Sequence, residues 1–363
     1  MKILFVLPRM VTGGVERVTL RLVAELQRRG HECAFALRRA YGEFLQEAQD
    51  LCPIYEIAAG GLHQFVPNLS KLIKTWQPTH IITAFADIGF LTHLAINRSG
   101  QKIFWAHGVH ATHDLIIAKP TMMGRIRFEL DKIFASTVYK KCHVVVAVSN
   151  GVQHDILDNF KVNQDKVITI YNPVLDDTQL IPRATKDIPN NGIPKIVALG
   201  RLTYQKGFDI LIEAMTKVPQ PWQLDIWGDG EDKQALQNLI DKYYLQQHIF
   251  LRGNTDKPLD VLGQADLFVL SSRFEGFGLV LVEALANGCQ IIATDCPHGP
   301  REILENGRWG ILVENEDPTA LADGIIQRLI DKTPASSQEL LQRAEAFTVE
   351  KSADAWAKVL GSF

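Results

Sequence analysis

Twelve short, nearly all-apolar runs recur along the chain, and they constrain its fold more than any other feature. Six lie in the first half: ILFVL (3–7), CAFAL (33–37), HIITAF (80–85), KIFWA (102–106), HVVVAVS (143–149) and KVITIY (166–171). Six more lie in the second: KIVALG (195–200), WQLDIWG (222–228), HIFLRG (248–253), DLFVLSS (266–272), QIIATD (290–295) and WGILVE (309–314). Runs with so few polar interruptions read as strands covered on both faces, the pattern of a parallel sheet. Between them lie helical periods such as Val15, Val18, Thr19, Leu22, Val23 and Leu26, spaced for one buried stripe. The alternation predicts an α/β chain with a doubly wound, Rossmann-like unit in each half.

At 363 residues the chain exceeds the length that one core usually serves, so two domains are expected. Their predicted bounds are 1–176 and 177–345, with 346–363 a terminal helix that packs back on the first domain. The segment LIPRATKDIPNNGIPK (180–195), rich in Pro, Asn and Gly, reads as the linker. Cut near residue 173, the chain has 20 Lys and Arg against 14 Asp and Glu before the cut, and 18 against 27 after it. A basic first half suits an anionic surface or substrate, although attraction between the halves would explain the asymmetry equally well. The five cysteines form no CxxC pair, which fits a reduced compartment and a cytoplasmic location. The N-terminal apolar run is too short for a signal segment, and no stretch of 18 apolar residues occurs, so any membrane contact is expected to be peripheral.

Ligands of open parallel sheets collect beyond the carboxyl ends of the strands. Gly13, Gly14, His107, Ser149, Arg201, Gly228, Gly253 and Glu275 are predicted to sit at such ends, and two facing sheets would share one cleft. In LPRMVTGGVERV (7–18), a glycine-rich turn leads from a strand into a helix. It could offer backbone N–H groups to an anion or a sugar, or be a plain turn. ALGRLTYQKGFDILIEA (198–214) places Arg201 and Lys206 five residues apart at a strand mouth. Such a pair suits a diphosphate, and solvated surface cations are the ordinary alternative. In SSRFEGFGLVLVEALANG (271–288), Gly276 and Gly278 permit close backbone approach, and a helix beginning near Gly278 presents the N–H groups of Leu279 and Val280. Glu283 early in that helix could merely complement its dipole, but that leaves Glu275 unexplained.

The pattern Glu-x7-Glu, filled as EGFGLVLVE, together with GRLTYQKGFD, GGVERV, VAVSNGV (146–152) and GPREILENGRWGILVE (299–314), resembles the retaining glycosyltransferases of family 4, which have the GT-B fold. The likeness runs in order over nearly the whole chain. It implies that Glu283 holds the ribose hydroxyls of a nucleotide sugar and that Glu275 meets hydroxyls of the transferred sugar. Backbone amides at Phe277, Gly278 and Leu279 would face the sugar and diphosphate, while Arg201 and Lys206 neutralise the leaving diphosphate. Val280, Gly14, Gly228 and Gly253 complete the implied donor set, and His107 would stand near the sugar's 6-hydroxyl. The implied reaction moves a sugar with retention from a nucleotide diphosphate sugar, expected to be a UDP-hexose or UDP-N-acetylhexosamine, to a saccharide or lipid-linked acceptor in bacterial surface-glycan synthesis. No cofactor, metal or nucleic acid is implied.

The same residues bear other readings. His107, His110 and His113 have HxxHxxH spacing, yet no carboxylate or cysteine cluster accompanies them for zinc. The acidic GDGED (228–232) reads as scaffold. The segment 119–141 mixes basic and apolar residues at helical spacing, which suits either an anionic membrane surface or packing on the first sheet. The functional alternatives are a sugar-nucleotide epimerase of the same fold, a sugar-binding subunit without activity, and an NAD-dependent two-domain oxidoreductase. Against the last, no strand is followed by GxGxxG.

Overall fold

The computed structural model describes residues 1–112, 122–180, 192–330 and 335–361. The chain forms two compact units, Met1–Pro173 with Val349–Phe363, and Val174–Thr348.

The first unit holds a seven-stranded sheet of β1 (Lys2–Leu7), β2 (Glu32–Leu37), β3 (Ile54–Glu56), β4 (His80–Thr83), β5 (Phe104–Val109), β6 (Val144–Ala147) and β7 (Val167–Thr169), in the order β3-β2-β1-β4-β5-β6-β7. Every pairing is parallel; β1 sets Leu4 against Ala34 on one side and Ile81 on the other. The helix Gly14–Arg28 turns Val18, Leu22, Val23 and Leu26 to the sheet, the stripe its spacing predicts. The last helix, Val349–Leu360, packs against Gly14–Arg28 and sends Trp356 and Leu360 into the core of Phe5, Leu7, Phe35 and Val146. Arg29 Nη1 donates to Asp354 Oδ1 at 2.6 Å, Ser352 Oγ donates to the Tyr171 carbonyl at 2.8 Å, and His80 Nε2 lies 3.0 Å from the Leu360 carbonyl.

The second unit holds β8 (Lys195–Leu199), β9 (Gln223–Trp227), β10 (Ile249–Gly253), β11 (Leu267–Leu270), β12 (Gln290–Thr294) and β13 (Ile311–Val313), ordered β10-β9-β8-β11-β12-β13 and again parallel throughout. Its core gathers Ile196, Leu211, Trp222, Leu224, Val269, Ile292 and Ile325. Strand order reverses between β1 and β4 in the first sheet and between β8 and β11 in the second. The loops beyond those strand ends are where such sheets bind ligands.

Two local features differ from the sequence reading. β3 is absent from the apolar runs because it has only three residues, with Tyr55 and Glu56 among them, on the sheet edge. β5 begins later than the run KIFWA and continues through His107 to Val109, so that histidine lies inside the strand rather than past its end. Most of the predicted linker, residues 181–191, lies outside the described residues. Among the described residues no helix is long and apolar enough to cross a membrane.

Candidate functional site

The carboxyl ends of β8 and β11 bring together residues that are 69 positions apart. After β8, Gly200 leads to Arg201 and to a single 3-10 turn, Tyr204–Lys206, that ends on Gly207. The aliphatic stem of Lys206 runs across the α-carbon of Gly200, where an added Cβ would sit 3.2 Å from Lys206 Cε. Lys206 Nζ lies 2.5 Å from Glu275 Oε1, and Ser272 Oγ donates to the same oxygen at 2.7 Å. Glu275 is only 7% exposed, so its charge is tolerable there because an ammonium and a hydroxyl share it.

The Glu275 loop is fixed on its other side as well. Thr294 Oγ1 donates to the Ser272 carbonyl at 2.6 Å, the Glu275 N–H donates to the Pro297 carbonyl at 2.5 Å, and the His298 N–H returns to the Glu275 carbonyl at 2.9 Å. Nearby, burial raises the Cys296 thiol to a pKa of about 12, with the Glu275 carboxylate adding to the shift.

Gly278 caps the helix Leu279–Ala286 at φ 96°, a left-handed conformation that glycine adopts without strain. The helix is buried at Val280, Leu281, Val282, Ala284, Leu285 and Ala286, leaving Leu279 and Glu283 half-buried. These two are four residues apart and share the helix's open face. Phe277 is buried, its ring 5.4 Å edge-on from Phe347. It therefore offers only backbone to a ligand.

Arg201 is exposed, and its side chain has no carboxylate partner among the described residues. Its charge is therefore available to an anion. Gly228, at φ 141°, packs against the Gly200 carbonyl so closely that any Cβ would collide with it, and its N–H donates to the Gly253 carbonyl at 2.8 Å. Gly228 and Gly253 thus close the ends of β9 and β10. GDGED remains scaffold, with Asp229 held below the usual carboxylate range by the Gly230 N–H and by Lys233.

The residues predicted in the first unit take other positions. Gly14 opens the helix Gly14–Arg28, and the buried Glu16 of that helix folds back over Gly13, where a Cβ would strike its carboxylate. An acidic side chain already complements this helix end. His107 departs from the expectation of a strand-end residue, since it lies within β5. It is 2% exposed, with Nδ1 2.7 Å from Thr83 Oγ1 and its ring 5.8 Å from that of Tyr139. Burial pushes its pKa down to about 3, so the imidazole is neutral and enclosed. His110, just past the end of β5, instead lines a small cavity of about 40 Å³ with Thr19, Thr83, Asn172 and Trp356. Burial lowers its pKa to about 4. His113 lies outside the described residues, and among those described no cluster of three or more metal-ligating side chains occurs.

Residues 184–347 match the family described as glycosyl transferases group 1, and residues 12–177 match glycosyltransferase family 4. The chain is 31% identical over 275 residues to the lipopolysaccharide 1,6-galactosyltransferase of Salmonella typhimurium, covering 73% of this chain and 69% of that one. It belongs to the group 1, family 4 glycosyltransferases. A second relative of this family 4 chain is the N-acetylgalactosamine-N,N'-diacetylbacillosaminyl-diphospho-undecaprenol 4-alpha-N-acetylgalactosaminyltransferase of Campylobacter jejuni. The two are 30% identical over 235 residues, which span 64% of each. Among solved structures, Anabaena HepE in complex with UDP superposes with a TM-score of 0.83 at 20% identity, covering all of both chains. The fold is GT-B, with a doubly wound parallel sheet in each unit.

Arg273, whose side chain forks onto Asp209, is not among the residues the sequence singles out. It lies within SSRFEGFG but outside the two glutamates and the two cations that the resemblance singles out.

Proposed function

We propose that this glycosyltransferase binds a nucleotide diphosphate sugar in its second unit and transfers the sugar, with retention, to a saccharide or lipid-linked acceptor of a bacterial surface glycan. The observation that carries the reading is the placement of Lys206 beside Glu275 at adjoining strand ends, with exposed Arg201 on one side and the start of the Leu279–Ala286 helix on the other. Arg201, Lys206 and the first helical amides at Leu279 and Val280 would hold the diphosphate, with Gly278 and the Phe277 backbone facing the sugar. Glu275 would take hydroxyls of the transferred sugar, and Glu283, on the open helix face, those of the ribose. Gly228 and Gly253 would border the nucleotide, the Gly14 turn would meet the donor, and the first unit would receive the acceptor.

In the reaction, the bond from the anomeric carbon to the diphosphate oxygen breaks, and the acceptor oxygen bonds to the same face of that carbon. The departing diphosphate takes the acceptor's proton. Arg201 and Lys206 stabilise the charge that grows on the leaving group, so the reading needs no metal. His107, enclosed in β5, acts by holding Thr83 and the end of the strand rather than by touching sugar.

A UDP-hexose or UDP-N-acetylhexosamine is the favoured donor, by analogy with HepE, whose crystals hold UDP, and with the galactosyl- and N-acetylgalactosaminyltransferase relatives. A thermal-shift panel of UDP-, GDP- and ADP-sugars tests this, since a donor stabilises only the folded state. Stabilisation by UDP-sugars alone is expected; none by any nucleotide sugar would remove the reading. Incubation with donor alone separates transfer from epimerisation, because an epimerase turns over without acceptor.

Peripheral contact with an anionic membrane fits the helix Met122–Lys141. Ala135, Val138 and Tyr139 are buried, whereas Ile126, Leu130 and Ile133 are 50%, 46% and 57% exposed. At 100° per residue this second apolar stripe runs into Lys140 and Lys141 on the same face. Flotation with vesicles containing anionic lipid is expected, and its loss in I126S/L130S/I133S; no flotation of the wild type would remove the idea.

A further inference from the structure

Arg273 stands two residues before Glu275, and its side chain is 10% exposed. Its Nη1 donates to the Tyr204 carbonyl at 2.8 Å and to Asp209 Oδ1 at 2.9 Å, Nη2 donates to Asp209 Oδ2 at 2.7 Å, and Nε reaches Glu316 Oε2 at 3.3 Å. The guanidinium carbon lies 4.1 Å from the centroid of the Tyr204 ring. Its backbone takes part too: the Arg273 N–H donates to the Gln205 carbonyl at 2.8 Å, and Asn315 Nδ2 donates to the Arg273 carbonyl at 2.9 Å. One side chain therefore fastens the loop that carries Glu275 to the turn that carries Lys206 and to the helix Phe208–Met215 that follows it.

Lysine brings a compact charge on a four-carbon stem, whose direction is set by whatever holds its backbone. Here the Tyr204–Lys206 turn is a single 3-10 turn, too short to hold itself. Among the contacts that hold it, the planar fork on Asp209, backed by stacking on Tyr204 and by Nη1 on the Tyr204 carbonyl, is the charge-assisted one; the Arg273 N–H to the Gln205 carbonyl at 2.8 Å, Gln205 Nε2 to the Phe274 carbonyl at 3.0 Å and Ser271 Oγ to the Lys206 carbonyl at 2.9 Å are neutral.

We propose that Arg273 is a positioning residue for the donor site, setting Lys206 against the distal phosphate of a nucleoside diphosphate through its fork on Asp209 and its stack on Tyr204. This rests on the donor-site reading above. It assigns a function to a residue that never meets substrate, and it makes Asp209 a partner in that function.

The test is calorimetric binding of UDP, GDP and ADP, each beside its monophosphate, to the full chain and to R273K, R273M and D209N. Unfolding midpoints are measured alongside. The wild type should favour its diphosphate over the monophosphate by about tenfold or more, the worth of a charge-assisted contact. In R273K and R273M diphosphate affinity should fall by about tenfold while monophosphate affinity stays within about threefold, because only Lys206 has moved. R273K keeps the charge but not the fork, so it should not rescue. If R273M fails to fold, R273K and D209N carry the same expectation. Folded variants that keep the wild-type ratio of diphosphate to monophosphate affinity overturn the proposal and leave the donor site standing. A wild type with no preference for any diphosphate brings down the donor-site reading itself, and this inference with it.

Discussion

Lys206 Nζ and Glu275 Oε1 lie 2.5 Å apart at the ends of two neighbouring strands, each satisfying the other. The pair lets a cation and a carboxylate share a site in which either alone would be costly.

The first prediction follows from that sharing. K206M leaves Glu275 with only the Ser272 hydroxyl and should destabilise the chain by about 3 kcal/mol, whereas K206M/E275Q should recover at least about 1 kcal/mol of that loss. Urea unfolding of the two single variants and the double variant checks the cycle.

Arg201 should behave differently, because it is exposed and has no carboxylate partner among the described residues. R201A is expected to change stability by no more than about 0.5 kcal/mol while turnover with a donor sugar falls about a hundredfold. Unfolding and rate measurements on one preparation separate the two effects.

Two histidines predict acid sensitivity, His107 in the core and His110 half-buried just past β5. Burial holds His107 at a pKa of about 3 and His110 at about 4, below the unfolded value of 6.5, so between those limits the unfolded chain binds more protons. The stability they contribute is complete above pH 6.5 and drains away as pH falls towards 4, at up to about 1.4 kcal/mol per pH unit for each histidine. H107Q should lose stability less steeply than the wild type between pH 6.5 and 4.5 in unfolding titrations.

The five cysteines are buried and free, and burial lifts Cys33, Cys52, Cys142 and Cys296 to pKa values of about 12. Thiolate is the reactive form. No thiol should react with a disulfide reagent at pH 7.5 until denaturant is added, when all five should.

The architecture was legible because both sheets are covered on both faces, and every strand but β3 falls in a mostly apolar run. β3 escaped because three residues on an edge leave no period to read. Part of the candidate site stood out in the sequence: Glu275, Arg201 and Lys206 follow strand ends, and Glu283 interrupts an apolar helix, so their polarity contrasts with apolar surroundings. Arg273 was not legible, since its partners Tyr204, Asp209 and Glu316 are 43 to 69 residues away and an isolated arginine in a loop looks like surface. His107 was misplaced for the opposite reason: its run ends at Ala106 in the sequence, whereas the ladder with β6 carries the strand on to Val109.

The most direct measurement is a crystal structure of the chain soaked with the UDP-sugar that stabilises it most. The account predicts diphosphate oxygens within hydrogen-bond distance of Lys206 Nζ and of the Leu279 amide, with the ribose hydroxyls on Glu283. A nucleotide sugar ordered anywhere else on the chain, with Lys206 still closed on Glu275, would contradict it.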